Sequence, residues 1–412
     1  MMLKSRFVVP VDAPVIKNGA VVVEEGRISA VGPARDLPHG GVADYGDAVI
    51  CPGFVNAHTH LELTSMAGRV PPSEDFAGWL RTLVEMIKTS LCTREDVQNS
   101  VRMGLSQSLA AGVTMVGDVT RQPVWTREVL AASSIRGVSF GEVIAVGWTR
   151  HRLAELLEIA LSDTHQTDRI RAGVSPHAPY TVEPDALRTC AQQAKEIGAL
   201  LCIHLAETRD EDLFLRKHEG PLADHLRRSG VWDDDMPLAE CGPLELVSKT
   251  GVLGSSTVAA HANYVSDADI AQISNGGTSV AYCPRTHRAF GHPPHRFRDM
   301  LAVGINVCIG TDSLASNPSL SVLDELRFVR RMYPDCPPQT IMEMGTINGA
   351  KALGFGDAAG SITVGKHADL VVIPLEPAGL RSTWESILDG DAQPTEVYVE
   401  GVPQLGRKRT TL

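Results

Sequence analysis

The sequence predicts an α/β fold: a (β/α)8 TIM barrel over residues 51–362, with a small composite β-sandwich domain built from residues 1–50 and 363–412. Three observations lead there. Short apolar runs alternate with helix signals through the middle of the chain, which implies parallel strands joined by helical crossovers. Eight such runs can be found, the number that closes a barrel. Both ends of the chain are strand-like instead, as in "AVVVEEGRISAVGPA" near the start and "GKHADLVVIPL" and "PTEVYVEGVPQLG" near the end.

Taken in order, the first fifty residues read as short strands, with Glu25-Gly26 as a hairpin turn. The barrel strands are expected in the stretch opening at "CPGFVNAHTHLELT" (51–64), then at 112–119, 136–146, 169–177, 198–207, 256–264, 277–285 and 304–312. Between them Thr93 is a plausible N-cap and Gly112 a stop, and Pro184 and Gly198 bracket a second helix. An open doubly wound sheet would carry a Gly-rich nucleotide fingerprint after an early strand. No G-x-G-x-x-G occurs, so the barrel is preferred.

Bulk properties narrow the function. A net charge of −11 argues against a nucleic-acid surface and fits a protein handling small molecules. No run is apolar enough for a signal peptide or a membrane span, so a cytoplasmic protein is expected. The eight cysteines, at 51, 92, 190, 202, 241, 283, 308 and 336, include no C-x-x-C pair and read as reduced thiols. That also removes the small cytidine-deaminase zinc site, whose P-C-x-x-C half is missing.

The chemistry lies in polar residues at the predicted strand ends. In a strand, residues i and i+2 share a face, so His58 and His60 project together. His177 ends the fourth strand, His204 the fifth, His261 the sixth, and Asp312 the eighth in "GTD". Strand C-termini of a barrel converge on one face. Imidazoles with a carboxylate form a suitable set for zinc or a similar divalent ion. Any one of these histidines could be an ordinary satisfied polar residue; the joint pattern is what points to metal. Glu207, three residues after His204, can sit above such an ion and move a proton between water and substrate.

Together "PGFVNAHTHLELT", "HLAET", "GVLGSSTVAAHANYVSDADI", "IGTDSLASNPSL" and "TINGAKALGF…GSITVGKHADLVVI" resemble the amidohydrolase superfamily, in its deaminase and chlorohydrolase branch. The resemblance runs from about residue 20 to about 400. It implies that His58, His60, His204 and Asp312 are metal ligands, that Glu207 is the proton-shuttling acid, and that His261 contacts the hydrolytic water. Binuclear members bridge two metals with a carboxylated lysine on strand four. "RIRAGVSPHAPYT" has no lysine, so one divalent ion is expected, zinc first, with iron suiting the same ligands.

The implied reaction is hydrolytic removal of an amino group from an aromatic N-heterocycle, with Glu207, His261 and Asp312 as catalytic groups. The resemblance also places His177 near the substrate. It makes Trp79 and Glu85, in the segment after strand one, candidates for ring packing and ribose recognition. "YCPRTHRAFGHPPHR" departs from the pattern of thio-adenosine and S-adenosylhomocysteine deaminases and looks more like aminodeoxyfutalosine deaminases of a menaquinone route. Arg285 and His287 would then meet a substrate carboxylate, while His292 and His295 only decorate the loop. The expected partner is a small purine-like molecule, with no nucleic acid or membrane; a homo-oligomer is compatible with the sequence. Alternatives are a deaminase of other adenosine derivatives, guanine or a pterin, an s-triazine chlorohydrolase, or a catalytically idle metal-binding homologue.

Overall fold

The computed structural model describes residues 1–38, 41–375 and 383–405. The remaining parts of the two expected end segments, 39–40, 376–382 and 406–412, lie outside the described residues. Five strands come from the first part of the chain: β1 (Met2–Val8), β2 (Ile16–Glu24), β3 (Arg27–Pro33), β4 (Val42–Asp44) and β5 (Ala48–Pro52). Three more come from the end: β14 (Leu370–Pro374), β15 (Glu396–Val399) and β16 (Val402–Leu405). They form one eight-stranded sheet in the order β16-β15-β14-β5-β1-β2-β3, with β4 alongside β1. The N- and C-terminal contributions join where β5 pairs antiparallel with β14, Pro52 opposite Leu370. This sheet therefore reaches two residues past the expected boundary at residue 50.

The β2–β3 hairpin turns at Glu25 and Gly26, with φ of 49° and 78°. Two successive left-handed residues make the type I′ turn, whose twist suits a two-residue hairpin, and Gly26 adopts it without steric cost.

The middle of the chain forms the second sheet. Its strands are β6 (Phe54–Thr59), β7 (Val113–Thr120), β8 (Arg136–Val143), β9 (Ile170–Pro176), β10 (Leu200–Leu205), β11 (Thr257–His261), β12 (Ser279–Tyr282) and β13 (Val307–Ile309). Each pairs in parallel with the next. The ring is completed where Thr59 bridges Asp312 in parallel and Thr311 and Asp312 donate their N–H groups to the His58 carbonyl at 3.1 Å. All eight expected strands are present.

Helix boundaries follow local chemistry. Thr93 caps the helix Arg94–Ala110 in a capping box with Asp96. Pro184 opens the helix Pro184–Ile197, and Gly198 ends it at φ 68°. At the strand N-terminal side, Arg136 is 2% exposed and reaches Glu400 at 2.8 Å and Asp369 at 3.5 Å, tying the barrel to the composite sheet. The opposite face, at the strand C-termini, is left for the chemistry. Among the described residues no helix is long and apolar enough to cross a membrane. Seven of the eight free cysteines are buried, and Cys92 is exposed.

Candidate active site

The strand ends bring five of the predicted groups into one cluster. His58 is the penultimate residue of β6 and His60 follows its end; His204 is penultimate in β10; His261 closes β11. His58, His60 and His204 form one group whose ring nitrogens lie within 4.8 Å of one another, and His58, His261 and Asp312 form another. His60 Nε2 and His204 Nε2 are 3.2 Å apart. Asp312 Oδ1 stands 3.8 Å from His58 Nε2 and 3.6 Å from His60 Nε2.

Surrounding groups fix how each of these side chains points. His204 Nδ1 donates to the His177 carbonyl at 2.9 Å, which leaves its Nε2 lone pair facing the cluster. His58 Nδ1 lies 3.6 Å from Cys202 Sγ, and His60 is bonded to the main chain of Val119. Ser316 donates to Asp312 Oδ2 at 2.6 Å, so Oδ1 is the oxygen turned towards the histidines. Asp312 and His261 adopt φ of 58° and 71°, conformations that non-glycine residues rarely hold and that cluster at functional sites.

The fit to a metal can be tested on the polar atoms themselves. His58 Nε2 and His261 Nε2 are buried without any hydrogen-bond partner. Such atoms are costly unless something satisfies them. Burial above all, and then the neighbouring imidazoles, hold His58, His60 and His261 well below the usual histidine range; burial brings His204 down to about 4. The rings are thus neutral, the form that binds a cation. Burial raises Asp312 to about 6, against the Ser316 bond. The donor set fits a divalent ion, with His58, His60 and His204 in one group and His58, His261 and Asp312 in the other.

Glu207 lies two residues beyond β10, 7% exposed, with Oε1 3.5 Å from His261 Nε2. Burial, and next the nearby Asp312 and Glu211, push its carboxyl well above the normal range. A carboxyl raised in this way is suited to donating a proton. Its loop is anchored by a residue that sequence reasoning missed. Glu211 accepts the N–H groups of Ala206 at 3.0 Å and Glu207 at 2.7 Å. A second acid four residues after Glu207 was the available signal.

The expected substrate residues divide. His177 follows β9 directly, bonded through Nδ1 to Thr181 Oγ1 at 2.7 Å, with its ring 4.9 Å from that of His204. His287 is 6% exposed with an unpartnered buried Nε2, beside His292 and His295. Trp79 is packed edge-on against Phe290 and gives its indole N–H to the Val70 carbonyl at 2.9 Å, so the structure gives it a packing role. Glu85 does not join it. Residues six apart on a helix face different ways, and Glu85 is 66% exposed, paired with Lys88.

Arg285 also needs correction. Its Nε meets Glu325 Oε1 at 2.7 Å and its Nη2 the Ser319 carbonyl at 3.2 Å, so the guanidinium is committed inside the protein and does not offer itself to a substrate carboxylate. His292 and His295 do not merely decorate the surface. His295 is 4% exposed and His292 half-buried, its Nδ1 bonded to Tyr264 OH at 2.9 Å.

Comparison with known proteins agrees with this geometry. The model of the amidohydrolase family matches residues 49–403. A 5-methylthioadenosine/S-adenosylhomocysteine deaminase of Moorella thermoacetica is 30% identical over 391 residues, covering 91% of this chain and 86% of the relative. An adenosine deaminase of Xanthomonas campestris, solved with bound zinc, superposes with a TM-score of 0.83 at 25% identity over 98% of this chain and 92% of that one. The aminofutalosine deaminase of Helicobacter pylori shares the fold, with a TM-score of 0.85 at 22% identity over 98% of this chain and 100% of that one. The chain belongs to the amidohydrolase family and is a hydrolase acting on carbon–nitrogen bonds.

Proposed function

We propose that this protein is a deaminase of adenosine derivatives dependent on one divalent ion, zinc in the first instance, and that 5′-thio-substituted nucleosides are its substrates. The observation that carries the reading is the clustering of four imidazoles and Asp312 beside the buried carboxyl of Glu207, whose Oε1 is 3.5 Å from His261 Nε2. When bound in such a set, a divalent ion acidifies water into a nucleophile at neutral pH.

The protein's own groups do the rest. Asp312 Oδ1 and His261 Nε2 flank the position from which water would attack the ring carbon. Glu207 delivers its proton to the adjacent ring nitrogen as water adds to the ring carbon; of the two protons of that water, one passes to the amino group, which departs as ammonia, and the other returns to Glu207, leaving a ring carbonyl. We assign His177, whose ring lies 4.9 Å from that of His204, and His287 to contacts with the nucleoside. A cleft of about 890 Å³ is lined by Ala206, Arg209, Asn263, Tyr264 and Pro293, and we assign it to a substituent beyond the ribose.

The choice among adenosine derivatives rests on the Moorella relative and on Arg285. The "CPR…FGH" loop points to aminodeoxyfutalosine on condition that Arg285 takes its carboxylate. With that guanidinium bound to Glu325 the loop no longer singles out aminodeoxyfutalosine, and the Moorella relative puts methylthioadenosine and S-adenosylhomocysteine ahead. The test is metal analysis with an ammonia-release panel of methylthioadenosine, S-adenosylhomocysteine, adenosine, aminodeoxyfutalosine, guanine and a chlorotriazine. We expect ammonia from the first two, lost on chelation and restored by zinc or iron. Chloride release alone, or no ammonia from any purine, would reject the reading.

A further inference from the structure

The loop "HRAFGHPPH" holds three histidines that the reaction above leaves largely unused, and one of them reaches the site's backbone. His261 and Ala262 carry consecutive positive φ values, 71° and 50°. Neither is glycine, so surrounding contacts must hold this turn. Ala262 N–H donates to the Leu205 carbonyl at 2.9 Å. The carbonyl of His261 itself is met by His295 Nε2 at 2.7 Å. A carbonyl only accepts, so Nε2 carries the hydrogen and His295 is the Nε2–H tautomer.

His295 is in turn fixed by its surroundings. Its ring stacks on Tyr282, the last residue of β12, at 4.1 Å and 20°. The loop after β12 thus reaches across to the end of β11. The same turn supports the acid, because Asn263 Nδ2 donates to the Glu207 carbonyl at 3.0 Å. A small rotation of the His261 main chain would swing its imidazole away from Glu207, now 3.5 Å distant.

We propose that His295 is a positioning residue for the hydrolytic step: its Nε2–H clamps the main chain of His261 in the left-handed conformation that aims the imidazole at Glu207 and the reacting water. The inference rests on the deaminase reading for its activity arm, but not for its crystallographic arm. His295→Phe keeps a flat ring for the Tyr282 stack and removes the donor; His295→Gln keeps a donor at the Nε2 position.

The Phe variant should lose about 10²-fold in kcat, the cost of misplacing a reacting group by about 1 Å, with KM changed less than about twofold. The Gln variant should recover most of that loss. Crystals of the Phe variant should show the His261 ring displaced and its φ no longer positive. Wild-type turnover by the Phe variant, an unmoved His261, or equal losses in both variants would overturn the proposal. Should the Phe variant not fold, His295→Met against His295→Gln is read by the same criteria. If no nucleoside is turned over at all, the position of His261 in the variant crystals still decides.

Discussion

Replacing Arg285 by Met separates a structural role from a substrate-binding one. Its partner Glu325 is fully buried and accepts from Arg285 Nε at 2.7 Å, from the Arg285 N–H at 3.0 Å and from Asn317 Nδ2 at 2.6 Å. Removing one partner of a buried ion pair costs about 3–5 kcal/mol, because the other charge is left uncompensated. Here Asn317 and the main-chain N–H remain, and burial already raises the Glu325 carboxyl, so that it can take up a proton. The low end, about 3 kcal/mol, is therefore expected. For 412 residues at about 2.1 cal/mol/K each, the unfolding entropy is about 0.9 kcal/mol/K, giving a Tm lower by about 3–4 °C. Differential scanning calorimetry measures it, and Arg285→Met combined with Glu325→Gln should cost less than the two single changes summed. An unchanged Tm, with KM raised only for carboxylate-bearing nucleosides, would refute the structural assignment and restore Arg285 to the substrate.

Two further outcomes follow from burial. Glu85→Ala should leave kcat/KM within about twofold, since its salt bridge to Lys88 is exposed and worth little; a tenfold rise in KM would put Glu85 back at the ribose. Burial lowers His292 to about 4. A group whose folded pKa lies below its unfolded value near 6.5 is fully stabilising above pH 6.5 and loses that stabilisation as pH falls towards 4. Wild type should therefore lose ground to His292→Gln by about 1.4 kcal/mol per pH unit over that window. Urea midpoints of the two proteins at pH 7.5, 5.5 and 4.5 give the difference directly, and a constant difference would contradict it.

Much of the architecture was legible because it depends on periodicity and punctuation. Each barrel strand is a short apolar run closed by polar residues, and the caps at Thr93, Gly112, Pro184 and Gly198 mark where helices start and stop. The histidine pair, "HLAE" and "GTD" were legible for a related reason: strand ends of a closed barrel meet whatever lies between them. The segment after β12 was not legible in this way. Whether Arg285 faces a ligand or Glu325 depends on how the helix Val322–Met332 packs against Pro284–Ala289, and no local pattern encodes that. His295 was misjudged for the same reason. Its Tyr282 stack and its bond to His261 join segments separated by 34 residues at most, yet neither has a spacing rule. The apolar Phe290 and Phe297 flanking those histidines were the available hint that the loop is buried.

The central claim is that Glu207 carries the proton in a reaction carried out at a single-metal site. Glu207→Gln keeps the side chain's size and most of its hydrogen bonding while removing the acid. On the best nucleoside of the panel, ammonia release by the metal-loaded variant should fall by about 10²–10⁴-fold, with one divalent ion per chain retained and KM little changed. A Gln variant that keeps its metal and releases ammonia at the wild-type rate would contradict the account.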